Sequence, residues 1–182
     1  MHLSHVFAVA AILVTASPGA RAQEAAQPAA TETPAADVDA FAHAAAQNSL
    51  SEVLMSTMAL QKTTDKRVEE YAWTMLDHHA RAMGDLAEAL SPGAAPLPAE
   101  PSAAQSAILK QMSEMSGTQF DQAYFAHQLE SHGAAVGVFE KGVQVADQQV
   151  ANYAATTLPI LRAHLDIAKI RQAQPPQPIP GQ

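Results

Sequence analysis

FAHQLESHGAAVGVFEKGV, residues 125–143, carries Phe125, Leu129, His132, Val136, Phe139 and Val143 at alternating spacings of four and three. Residues so spaced stack on one face of an α-helix, and the stretch predicts a helix over about 118–145 with a single stripe for burial. The stripe is apolar except near its middle, where His132 stands. One amphipathic helix cannot bury its own face, so its partners must come from the rest of the chain.

Working outward, three more long helices are expected. The first starts at Asp37 as N-cap and ends near Thr63, with Val38, Phe41, Ala42, Ala45, Ser49, Val53 and Leu60 on one face. The second follows Asp65 and stops before Ser91-Pro92-Gly93; its stripe is Val68, Ala72, Met75, Leu76, Met83, Leu86 and Leu90. The last follows Asp147 and buries Val150, Ala154, Thr157, Leu158, Leu161, Leu165 and Ala168, with Pro159 inside it as the expected source of a kink. A Pro/Ala-rich crossover, 91–101, and a short helix, about 102–115, lead to the third long helix. No stretch alternates with the period of two that a half-buried strand requires. The chain reads as all-α, a four-helix bundle over 37–172 with a short extra helix in the crossover between long helices two and three.

The two ends read differently. VFAVAAILVTA (6–16) is too short to span a bilayer, and Ala20-Arg21-Ala22 offers the small-x-small pattern that a signal peptidase cuts. Residues 1–22 are therefore expected to be a cleaved signal peptide, 23–36 an Ala/Pro-rich spacer and 173–182 an extended Pro-rich tail. The compartment implied is the periplasm or the outside of the cell, with no transmembrane segment in the mature chain. The chain has no cysteine, hence no disulfide, no thiolate ligand and no lipid attached through one. A formal charge of −8 with scattered cations argues against a nucleic acid partner and against an anionic membrane surface. No pattern specifies a protein partner, and self-association as a homo-oligomer stays open.

Each long helix carries a metal-capable side chain near its middle: Glu52, His78 with His79, His132 and His164. Their offsets from the helix centres are about 2, 0, 1 and 6 Å along the axis, so one layer of a bundle can hold them all. On the helical wheel His79 is centred on its stripe with Ala72, Leu76 and Met83, whereas His78 is displaced toward the flank beside Met75 and Ala82. Three imidazoles and a carboxylate suit zinc, copper or iron. The bland alternative is a set of core polar residues bonded to Tyr124, Gln128 or backbone. A carboxylate-bridged dinuclear centre is disfavoured, because its helix-borne Glu-x-x-His pair occurs nowhere. Met55/Met58 and Met112/Met115 read as core filling. No nucleophile elbow and no Gly-rich phosphate loop is present.

SEVLMSTMAL (51–60), LDHHARA (76–82), FDQAYFAHQLESH (120–132) followed by FE (139–140), and LPILRAHL (158–165) together resemble the bacterial exported family catalogued as domain of unknown function 4142, a ferritin-like helical bundle. The resemblance spans roughly 37–170 and carries no established activity. It implies inward-facing Glu52, Asp77, His78, Asp121, Tyr124, His132 and His164, and so favours His78 over His79, against the wheel. The metal set expected is then Glu52, His78, His132 and His164, with His79 competing for the place of His78. Asp77, Asp121 and Tyr124 are expected in support, fixing imidazole tautomers. The function expected is that of an exported, non-enzymatic bundle that binds a transition metal in envelope metal handling or stress tolerance. The alternatives are a metal-free structural or protein-interaction module of the envelope and a metal-dependent oxidase, which needs an open coordination position and a substrate pocket.

Overall fold

The computed structural model describes residues 34–181; the expected signal peptide and the spacer up to residue 33 lie outside the described residues. Five helices follow one another: α1 (Pro34–Lys62), α2 (Lys66–Ala89), α3 (Ala103–Ser113), α4 (Gly117–Gly142) and α5 (Gln148–Ala173). Among the described residues the only β-type pairing is an isolated bridge between Asp65 and Pro178. Helix α1 begins at Pro34, ahead of the expected cap Asp37, and takes the last residues of the expected spacer into its first turn. Proline suits that position because its missing N–H would have no partner in a first turn anyway, and Asp37 there complements the helix dipole.

Three of the other four starts follow cap chemistry legible in the chain, while Ser116 heads α4 without a side-chain cap bond. The Asp65 carboxylate accepts from Arg67 N at the head of α2, and Asp147 accepts from Gln149 N and Val150 N at the head of α5. Ser102 and Gln105 form a reciprocal capping box on α3. Each such cap contributes about 1 kcal/mol by satisfying N–H groups the helix cannot. Helix α5 runs on through Pro159, which lies exposed on its outer side.

Side-chain pairs fix the directions. Phe41 meets Phe139, and Thr63 bonds Asp121, so α1 and α4 are antiparallel. Tyr71 meets Phe125 and His79 meets His132, so α2 and α4 run the same way. The Tyr71 hydroxyl donates to His164 O at one level and Arg67 reaches Arg171 O at another, which makes α2 and α5 antiparallel. The result is an up-down-down-up four-helix bundle of the ferritin-like kind, with α3 in the long crossover, as expected.

The apolar core comes in two parts. One, built on Met55, Val68, Tyr71, Met75, Phe120 and Phe125, fills the end where α2 and α4 begin. The other, built on Phe41, Ala45, Leu86, Phe139, Val150 and Leu161, fills the opposite end. Between them Ser49, Glu52, His79, Gln128, His132 and His164 are all buried. Val53 and Leu60 are only half-buried; Glu52, Met55, Ser56 and Ala59 take the inner face of α1 instead. A polar layer across a small bundle costs desolvation at every group it contains, so a fold keeps one for a reason other than packing.

The Pro-rich tail is extended and docked. Ile179 N donates to Thr64 O, Lys66 N to Gln177 O, and the Arg67 guanidinium to Arg171 O and Gln174 O. Arg67 also forks onto the buried Asp65 carboxylate, with Nη2 to Oδ2 at 2.6 Å. No described helix is long and apolar enough to cross a membrane.

Candidate metal centre

Helices α2, α4 and α5 each send one histidine into the polar layer: His79, His132 and His164 are 3%, 1% and 2% exposed. Their ring centroids lie 5.6 Å (His79–His132), 5.3 Å (His132–His164) and 5.7 Å (His79–His164) apart. One nitrogen from each lies within 4.8 Å of the other two. Nitrogens on a tetrahedral ion with bonds of about 2.0–2.1 Å stand roughly 3.3 Å apart, so shifts of about 1 Å would close the three on one ion.

Each ring has one nitrogen engaged by the protein. His132 Nδ1–H donates to Gln128 O, one turn back, at 3.1 Å. A neutral imidazole has a single proton, and that bond leaves Nε2 with its lone pair. His79 Nδ1 meets Ser49 Oγ at 3.4 Å, and His164 Nε2 lies 2.7 Å from His78 Nδ1. The remaining nitrogens, His79 Nε2, His132 Nε2 and His164 Nδ1, are buried with no hydrogen-bond partner. An orphaned buried polar atom costs about 1–3 kcal/mol, so leaving three in one layer is expensive. A cation among them would satisfy all three, and in this sense the residues fit a metal ion.

Electrostatics favours the same form of the rings. Burial pushes His79 down to about 4, although the Glu52 carboxylate pulls the other way. Burial pushes His164 down to about 2, with the neighbouring imidazoles adding to it. Both rings are neutral at ordinary pH, which is the ligating form. Burial raises Glu52, but hydrogen bonds from Ser131 Oγ (2.6 Å) and Gln128 Nε2 (2.7 Å), and the attraction of His132 and His79 whenever those rings carry a proton, outweigh it and hold the carboxyl below its usual value. Glu52 is therefore an ionised carboxylate at 0% exposure, and no Lys or Arg among the described residues pairs with it. Its two oxygens are taken by Ser131 and Gln128, which leaves it to balance charge beside the histidines.

The expected site residues divide. Glu52, His132 and His164 meet in the layer, and His164, which the helix centres put off level, is brought in by the pairing of α5 with α2. The inward placement of Asp77 and His78 is corrected. Both are exposed, Asp77 in an ion pair with Arg81 at 3.0 Å and His78 at the rim against His164, while His79 turns inward. Asp121 and Tyr124 are buried, but Asp121 bonds Thr63 near the bundle end and neither bonds an imidazole. The rings are held by Gln128 O, Ser49 and His78. Burial also raises the Asp121 carboxyl and the Tyr124 phenol, with Glu52 adding to the latter. Sequence reasoning missed Ser131; its place three residues after Gln128, on the edge facing α1, was the available signal.

A cavity of about 130 Å³ opens between α2 and α5, reaching His79 and His164 past His78 and Tyr153, with Arg81 and Asp85 at its border. The layer is thus accessible between α2 and α5.

The family described as "Domain of unknown function (DUF4142)" matches residues 22–170 of this chain. The crystal structure of a DUF305 protein of Streptomyces coelicolor, described as secreted, superposes with a TM-score of 0.63 at 18% identity, covering 78% of this chain and 94% of that one. At that identity the likeness speaks for the fold alone. None of the curated proteins matches the chain.

Proposed function

The chain belongs to the DUF4142 family, and from that premise we propose that it is an exported helical-bundle protein that holds one divalent transition-metal ion on His79, His132 and His164. The observation that carries this reading is the meeting of three buried imidazoles from three helices, one nitrogen of each within 4.8 Å of the others, on rings that each keep one nitrogen without a hydrogen-bond partner. Glu52 supports it as a buried negative charge that a cation would compensate. Three imidazoles without a thiolate suit zinc, copper or iron better than calcium or magnesium, which take oxygen. Export is supported by the cleavable leader read in residues 1–22 and by the secreted description of the Streptomyces coelicolor neighbour. The role that follows is metal handling or metal tolerance in the cell envelope.

Calorimetric titration of the mature protein with Zn²⁺ and Cu²⁺ tests the site. One ion per chain is expected, with His79→Ala, His132→Ala and His164→Ala each losing more than the roughly 10–100-fold that removal of a group behind a ligand costs. Binding unchanged in all three variants overturns this site, and no binding by the wild-type chain leaves a metal-free structural module. N-terminal sequencing of the exported protein is expected to start at Gln23.

A further inference from the structure

Three histidines leave a tetrahedral ion one position short, and the cavity between α2 and α5 reaches two of those histidines from outside. Besides the imidazoles, and Ser49 already engaged with His79, the cavity's lining holds a buried polar group in the Tyr153 hydroxyl. Tyr153 is 6% exposed, and its oxygen is buried without a hydrogen-bond partner. Burial raises the phenol and the Asp85 carboxylate adds to it, the Thr157 hydroxyl beside it pulling the other way, so Tyr153 keeps its proton and is a donor awaiting an acceptor. Phe139, Leu161 and Ile160 line the same cavity together with the polar Asn48, Ser49 and Thr157, and a buried hydroxyl there calls for a partner of its own.

Charge points to the kind of acceptor. A divalent ion on three neutral imidazoles brings two positive charges into the layer, and Glu52 cancels one; Arg81 and Asp85, exposed and of opposite sign on the same cavity, add no net charge. The remaining positive charge sits in a medium where an unpaired charge is costly. A small monoanion would cancel it, and at about 130 Å³ the cavity has room for a few heavy atoms, since a water molecule occupies about 30 Å³.

Resting on the metal reading above, we propose that the α2–α5 cavity is an exogenous-ligand site in which a small monoanionic oxygen or nitrogen donor binds the fourth position of the ion and accepts a hydrogen bond from Tyr153. Tyr153 is a binding residue in this arrangement and does not touch the ion. His78, bonded to the far side of His164, borders the same cavity and holds that ligand ring at its edge.

The test uses the full mature chain loaded with Co²⁺, whose visible spectrum reports its ligands, and sodium azide as the probe. Azide is expected to shift the cobalt bands in a saturable way. Tyr153→Phe should weaken azide binding about tenfold, the usual worth of a hydrogen bond to a charged group, with cobalt stoichiometry unchanged. Ile160→Trp, on the exposed border of the cavity, should slow or abolish the azide response without affecting cobalt uptake. Stoichiometric cobalt with an azide-insensitive spectrum overturns this inference and leaves the metal reading standing. An azide response of equal strength in Tyr153→Phe removes the tyrosine from it. No cobalt uptake by the wild-type chain overturns both readings. Circular dichroism of each variant separates these outcomes from misfolding.

Discussion

His78 Nδ1 and His164 Nε2 stand 2.7 Å apart, so the exposed member of the His78-His79 pair grips the back of a ring whose other nitrogen faces the polar layer. For His164 Nδ1 to offer a lone pair, Nε2 must carry the proton and donate it to His78. The two neighbours on α2 therefore have different work: His79 stands in the layer and His78 orients a ring from outside it.

That division predicts unequal effects. His78→Ala should weaken metal binding by about 10–100-fold while keeping one ion per chain, as expected for a group behind a ligand. His79→Ala should abolish stoichiometric binding. Calorimetry on both variants decides, and the reverse order would make His78 the ligand.

The metal-free protein should lose stability as pH falls through the range from about 6.5 to about 4. His79 is held near 4 in the folded chain against 6.5 when unfolded, so below 6.5 the unfolded chain takes up a proton that the folded one refuses. Stability is full above the unfolded value and falls as pH drops toward the folded one, by about 3 kcal/mol for this ring. His164 contributes in the same direction. Urea unfolding at pH 7 and pH 5 measures it, and bound Zn²⁺ should reduce the loss, because the ligated rings resist protonation as well.

Glu52→Gln removes the buried charge and keeps the shape. Gln128 can turn its amide to present Oε1, which has no partner, so the fold should survive. Metal affinity should fall by at least about tenfold, because a nearby opposite charge in a closed layer is worth more than about 1.4 kcal/mol. Equal affinity in wild type and variant would confine Glu52 to a structural role.

Gly142 packs face-on against Phe41, and a side chain there would run into the ring. Gly142→Ala should destabilise the protein by about 1–3 kcal/mol through overpacking, without altering metal stoichiometry. Thermal melting and calorimetry together check this.

Arg67→Ala should cost about 3 kcal/mol or more, because it leaves Asp65 buried without its partner and frees the carbonyls of Arg171 and Gln174. Truncation after residue 173 should destabilise less, since the Asp65–Arg67 pair survives it. Urea midpoints of the two variants give the order.

The helices were legible because each announces itself locally. The four–three rhythm from Phe125 to Val143 marks a buried stripe, Asp65 and Asp147 are caps, and Ser91-Pro92-Gly93 cannot continue a helix. The start of α1 was less so, because Pro34-Ala35-Ala36 suits a spacer as well as a first turn. The docking of the tail was not legible at all, since it depends on Thr64, Asp65 and Arg67, far away in the chain.

The site divides in the same way. Sequence by itself determined that every long helix brings a metal-capable side chain to mid-height, and that His132 faces inward, because period and position belong to one helix at a time. Only the tertiary structure decided between His78 and His79, brought His164 level with His132, and gave Ser131 and Gln128 to Glu52. Those outcomes depend on how far each helix is rotated and slid against its neighbours. Rotation and slide are set by packing across the bundle, at contacts such as Tyr71 on His164 and Phe41 on Gly142, and no single stretch of chain contains both sides of such a contact.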